Sequence, residues 1–93
     1  MQVIKVPDRN CTFDIEHEFI REISGADGDV LLDLRDTRKI YSRVLAFIVH
    51  YGKVKKRIRF CNVGPEFREE YGEILSVALG TNFKDMIEEA ERG

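Results

Sequence analysis

Asp29-Val-Leu-Leu-Asp-Leu-Arg-Asp-Thr-Arg-Lys-Ile-Tyr-Ser-Arg-Val-Leu-Ala-Phe47 is the stretch on which the reading of the fold turns. Val30 to Leu34 is apolar at four of five positions, the pattern of a strand covered on both faces, so a central strand of a parallel sheet is expected. A short charged loop follows. Ser42 then heads a new apolar run, and a hydroxyl there is a natural helix N-cap.

The run from Tyr41 to Tyr51 admits two readings. Val44, Leu45, Phe47, Ile48 and Val49 are β-prone, and Gly52-Lys53 offers a hairpin turn into Arg57 to Val63. Its length is great for a strand and ordinary for a buried helix running from a cap at Ser42 to a stop at Gly52. Helix is the expectation.

Working outward, Val3-Ile-Lys-Val6 is a β-branched run stopped by Pro7, and Pro7-Asp-Arg-Asn10 is a turn. Ile15, Phe19, Ile20 and Ile23 recur at helical spacing, which predicts a helix over about Asp14 to Ser24, with Asp14 as its cap and Ser24-Gly25 as its stop. Arg57-Ile-Arg-Phe-Cys-Asn-Val63 opens with strict alternation, the mark of a half-exposed strand near a sheet edge. Gly64-Pro65 starts a helix whose buried stripe is Phe67, Tyr71, Ile74, Leu75 and Ala78. Gly72 inside it costs roughly 1 kcal/mol against alanine and predicts a kink or break. Asn82 caps a last helix with Phe83, Met86, Ile87 and Ala90 inward.

The predicted order is β-α-β-α-β-α-α. It describes an α/β domain over residues 1–93, a small mainly parallel sheet of three to four strands packed with four helices, joined by right-handed crossovers. With so few strands, one sheet face is expected to be only partly covered.

Composition narrows the function classes. The 93 residues carry 15 Lys and Arg against 17 Asp and Glu, a formal net charge of −2, so the chain as a whole is not a polycation for nucleic acid. The charge is uneven, basic from Arg35 to Arg59 and mostly acidic from Glu66 to Glu91. No apolar run reaches the roughly 18 residues of a membrane span, and the N-terminus lacks a signal-peptide pattern. Cys11 and Cys61 make no disulfide framework. The expectation is a cytoplasmic protein with reduced thiols.

The middle of the chain resembles a STAS domain, the fold of bacterial anti-sigma-factor antagonists. Val30-Leu-Leu-Asp-Leu34 is similar to the family's strand ending in Asp-Leu, and Ile40-Tyr-Ser-Arg-Val-Leu45 to its serine-bearing helix opening. Arg57 to Val63 with Gly64-Pro-Glu-Phe67 is similar to the second strand and its helix, and Phe83-Lys-Asp-Met-Ile-Glu-Glu-Ala90 to the C-terminal helix. The family's aspartate before the serine is Tyr41 here, its glycine after it is Val44, and only one strand precedes Asp14. The resemblance implies a regulatory protein–protein interaction domain with no cofactor, a kinase-type anti-sigma factor as the kind of partner, and Ser42 as the phosphorylated residue. Against that stands the plain helix cap.

A phosphate on Ser42 would meet unpaired amides and the positive end of a helix dipole, with Arg35, Arg38, Lys39 and Arg43 near in sequence. Independently of phosphorylation, Asp33, Arg35, Asp36, Thr37, Arg38 and Arg43 lie at the carboxyl end of a strand, where α/β sheets collect ligands, and most are too polar to bury. They are the expected partner-binding residues.

Two rivals are weighed. Lys53, Lys55, Lys56, Arg57 and Arg59 form a basic cluster of the kind that neutralises nucleic-acid phosphates, although a basic helix end explains it equally. An enzyme would have to use His17, His50, Cys11, Cys61, Asp14 or Asp33, which show neither metal-type spacing nor a nucleophile–base pairing, and Cys61 reads as a small buried hydrophobe. Tyr41, Tyr51 and Tyr71 are candidate anchors for a wetter interface.

Overall fold

The first helix begins one hydroxyl earlier than its sequence suggests. In the computed structural model, which describes residues 2–55 and 57–87, α1 spans Phe13–Gly25 and is capped by Thr12, whose Oγ1 accepts from the Ile15 amide at 3.3 Å. Asp14, the expected cap, instead sits in the first turn, where its charge faces the positive helix end. Phe19 and Ile23 are buried on its inner side.

Three strands, β1 (Gln2–Lys5), β2 (Val30–Asp33) and β3 (Ile58–Cys61), pair in parallel in the order β1-β2-β3. The central position expected for Val30 to Leu34 is observed. β2 and β3 are shorter than their expected runs, and β1 is shifted one residue toward the N-terminus from Val3–Val6. β3 stops where Asn62 adopts a left-handed φ of 54°, a conformation that asparagine tolerates better than most residues.

The helices α2 (Ser42–Lys55) and α3 (Pro65–Leu79) follow β2 and β3. The helical reading of Tyr41 to Tyr51 holds, but Gly52 does not stop α2, which runs on to Lys55. Gly52 is buried where the helices approach closely. A Cβ there would lie 2.6 Å from Leu79 Cδ2 and 3.4 Å from Ile58 Cγ2. Gly72 does not break α3; the helix is continuous through it and leaves space against Phe83.

Parallel crossovers are right-handed as a rule, so with strands adjacent in both sequence and space α1 and α2 fall on one face. Accordingly α1 packs on α2 and α2 on α3. Beneath them Ile4, Leu32 and Phe60, in register across the sheet, are fully buried. The opposite face presents exposed Val3, half-buried Leu31 and exposed Arg59, then the row Lys5, Asp33 and Cys61. Val3, Lys5 and Arg59 are exposed there while Cys61 is buried, so this face is part-covered, as the small strand number implied.

The chain end departs from the expected fourth helix. Phe83–Met86 forms a single 3-10 turn with Asn82 capping it, the Asn82 side chain accepting from the Lys84 amide. Ile87 then bridges in parallel to Phe60 at the outer side of β3. The observed order is therefore β-α-β-α-β-α plus that turn; a continuation to Ala90 lies outside the described residues. Phe83 earns its place by packing on Phe60 and Phe67, with ring centroids 4.9 and 6.3 Å apart. Among the described residues no helix is long and apolar enough to cross a membrane.

Candidate interaction surface

The parallel sheet delivers three loops to its carboxyl edge, and two of them are spliced by hydrogen bonds. Asp8, from the turn after β1, reaches into the loop that follows β2. Its Oδ1 accepts from the amides of Arg38 and Lys39 at 2.8 and 3.2 Å, and its Oδ2 from that of Asn10 at 3.1 Å. The Arg9 amide returns the link by donating to the Lys39 carbonyl at 2.8 Å. Burial works to raise the Asp8 carboxyl, but these amides and the nearby Arg38 charge outweigh it and hold its pKa below the ordinary value.

Thr37 is the second pin, and it departs from expectation. It is only 3% exposed, and its hydroxyl donates to the Val6 carbonyl at 2.6 Å while its amide donates to Leu34. A threonine can be buried because its one polar group finds a carbonyl left open where β1 ends. Thr37 therefore holds the loop from beneath and is not on its surface. Ile40 is the third pin: its amide donates to the Tyr71 hydroxyl at 3.0 Å, and that hydroxyl donates to the Ile40 carbonyl at 3.2 Å.

The outward residues are Arg35, Asp36, Arg38, Tyr41, Ser42 and Arg43. Asp36 pairs with Lys5 across 3.4 Å, both well exposed, a contact worth little by itself. Asp33 is half-buried. Its Oδ1 accepts from the Arg35 amide and from Asn62 Nδ2 at 3.0 and 2.9 Å. Burial again opposes, yet the Asn62 hydrogen bond, the Arg35 amide and the Arg35 and Lys5 charges lower its pKa.

Arg43 has a structural partner inside the domain. Its Nε donates to Glu16 Oε1 at 2.7 Å, and Glu16 is buried at 3% exposure. Ser42 is the first residue of α2, and the Tyr41 carbonyl accepts the first helical hydrogen bond, from the Leu45 amide at 3.0 Å. The backbone cap is thus Tyr41. The exposed Ser42 hydroxyl caps no amide among the described residues, which corrects the reading of it as the N-cap.

The basic cluster lies at the opposite end of the sheet. Lys53, Arg57 and Arg59 line an open cavity of about 750 Å³ together with Asp29 and Asp85. Arg57 approaches Asp29 at 3.8 Å, and Arg59 donates to the Asp85 carbonyl at 2.9 Å. Lys55 is exposed but does not line the cavity, and Lys56 lies outside the described residues.

The remaining candidates are scattered. His17 is exposed and stacked on Phe13, and His50 is exposed on α2. Cys61 is buried, as its strand position implied. Cys11 is half-buried, and its thiol is raised by burial and by Glu16. Among the described residues no His, Cys, Asp or Glu group could hold a metal ion. Of the three tyrosines only Tyr41 is presented, 44% exposed, because the buried Tyr51 hydroxyl donates to the Gly28 carbonyl and Tyr71 holds Ile40.

Asp8, Arg9 and Asn62 belong to this surface and were not singled out by sequence, whereas Lys39 was expected only as a charge near Ser42 and Tyr71 as an interface anchor, not as the pin of Ile40. The turn Pro7-Asp-Arg-Asn10 carried the one available signal, an Asx residue poised to accept backbone amides. No family model, curated protein or solved structure matches the chain.

Proposed function

We propose that this chain is a non-catalytic regulatory protein–protein interaction domain of the STAS-like type, contacting its partner through the Asp33–Arg43 loop and the start of α2. The observation that carries this reading is the contrast within the loop. Its backbone is pinned by Asp8, Thr37 and Tyr71, while Arg35, Asp36, Arg38, Tyr41 and Ser42 face outward. A pre-ordered polar loop loses little entropy when a partner docks.

Within this proposal Ser42 is the switch, and a kinase-type anti-sigma factor is the kind of partner. An exposed hydroxyl in the first turn of α2 is accessible to a kinase. Its phosphate would gain the unpaired amides of that turn while adding about two negative charges to the docking surface. Affinity capture from native lysate with wild type, Ser42→Ala and Ser42→Asp should recover one partner with the first two and lose it with the third, with phosphate located on Ser42 by mass spectrometry. Equal recovery with all three variants ends the switch reading.

Nucleic-acid binding through Lys53, Lys55, Lys56, Arg57 and Arg59 is the second reading. It is favoured by the convergence of Lys53, Arg57 and Arg59 on one cavity and opposed by Asp29 and Asp85 beside them. Anisotropy titration with unrelated oligonucleotides at two salt concentrations tests it.

A further inference from the structure

The carboxyl edge of the sheet gathers four cationic side chains, of which Arg38 and Arg35 also act at longer range on the domain's own Asp8 and Asp33. Arg9 comes from the loop after β1, and Arg35, Arg38 and Lys39 come from the loop after β2. The Arg9 to Lys39 backbone hydrogen bond places the two loops side by side. None of these four side chains forms an ion pair with a carboxylate among the described residues. The nearby carboxylates are engaged. Asp8 binds three backbone amides, Asp33 binds the Arg35 amide and Asn62, and Asp36 pairs with Lys5. Asp14 and Glu66 sit in the first turns of α1 and α3, where they offset the positive helix ends. Two apolar rings, Phe13 at 69% and Tyr41 at 44% exposure, precede or open the helices at the same edge.

We infer that this platform takes an acidic protein segment that also carries an apolar side chain. The inference rests on the proposed interaction role and assigns its partner's chemistry. Four cations on a fixed backbone attract and orient an acidic segment, and arginine beside exposed aromatic rings is the composition enriched at interface centres. Arg9 and Lys39 thereby join the surface, and Asp8 becomes its positioning residue, because it sets the relation of the two loops without touching the partner.

The test uses the whole chain and a fluorescein-labelled peptide rich in glutamate and bearing leucine, with its glutamine-for-glutamate counterpart and a labelled single-stranded oligonucleotide as competing probes. Wild type should bind the acidic peptide at low salt, and the affinity should fall about tenfold in about 0.3 M salt. Arg9→Gln with Arg38→Gln should weaken binding about tenfold, whereas Lys53→Gln with Lys55→Gln, at the other end of the sheet, should leave it unchanged. Circular dichroism checks that each variant is folded. The inference is overturned if the glutamine peptide binds equally, if the oligonucleotide binds more tightly than the acidic peptide, or if the Lys53 and Lys55 variant loses as much. It is also overturned if the peptide is displaced by a second copy presenting Glu66, Glu69, Glu70 and Glu73, seen as a salt-sensitive dimer in sedimentation. Because the lysate capture reads the native partner directly, loop-dependent capture alongside failed peptide binding would sink the charge assignment and leave the interaction reading standing.

Discussion

Arg43 shows how one residue can belong to a surface and to a core at once. Its guanidinium is the counter-ion of Glu16, which is nearly inaccessible to water, while its own side chain is 58% exposed. A buried carboxylate stripped of its partner is costly, roughly 3–5 kcal/mol when both members are enclosed. With one member half in water, Arg43→Ala should cost about 2 kcal/mol by urea denaturation. Adding Glu16→Gln to it should recover about half of that loss, because the charge left behind is then gone. A double variant no more stable than Arg43→Ala would refute this account. Any loss of partner binding in Arg43→Ala therefore has to be read against its stability. Sequence placed Arg43 by the loop but could not show Glu16, which lies 27 residues away on another helix.

At the level of elements, the strand-loop-helix unit from Val30 to Lys55 was legible because its signals are local: an apolar run, a polar interruption, and a second apolar run too long for a strand. Helix ends were less legible. Thr12, Asp14 and Ser42 are all good caps by composition, and only the path of the preceding chain decides which oxygen meets an amide. The two helix glycines were misread for a related reason. Gly52 and Gly72 disfavour helices by propensity, but both are buried in the packed domain, Gly52 hard against Leu79, so burial overrides propensity. Gly72 still carries the entropic cost. A Cβ there would meet Phe83 Cδ2 at 3.5 Å and Arg68 Cγ at 3.8 Å, ordinary contacts. Gly72→Ala should therefore stabilise the domain by about 0.5–1 kcal/mol, read as a higher Tm. A lower Tm would mean that Phe83 cannot accommodate the methyl group.

For the whole molecule, the two carboxylates that organise the carboxyl edge set an acid limit. Asp8 and Asp33 both have pKa values below the ordinary aspartate value when folded. Their stabilisation is thus fully present above the unfolded value, about 3.9, and is lost as pH falls through the lower folded values. Thermal unfolding should show Tm falling as pH drops below about 4, with a shallower fall in Asp8→Ala, which starts from a lower Tm at neutral pH. Parallel slopes for the two proteins would remove Asp8 from this role. The alternation of strands and helices, the parallel sheet and its part-covered face were readable from sequence, because periodicity and chain order constrain them. The splice between the loops was not, since Asp8 and Arg38 stand 30 residues apart with no pattern linking them.

The strand order β1-β2-β3 has a kinetic side. Each strand lands beside the one made just before it, so no pairing waits for a distant segment and each closure spans a single crossover. Such nearest-neighbour order keeps each pairing to the single crossover that a parallel pair requires, Gln2 with Val30 and Val30 with Ile58, so loop closure costs no more than that. The sheet can grow in the order in which the ribosome releases it, β2 docking onto β1 and the Asp8 splice closing as soon as Arg38 and Lys39 emerge.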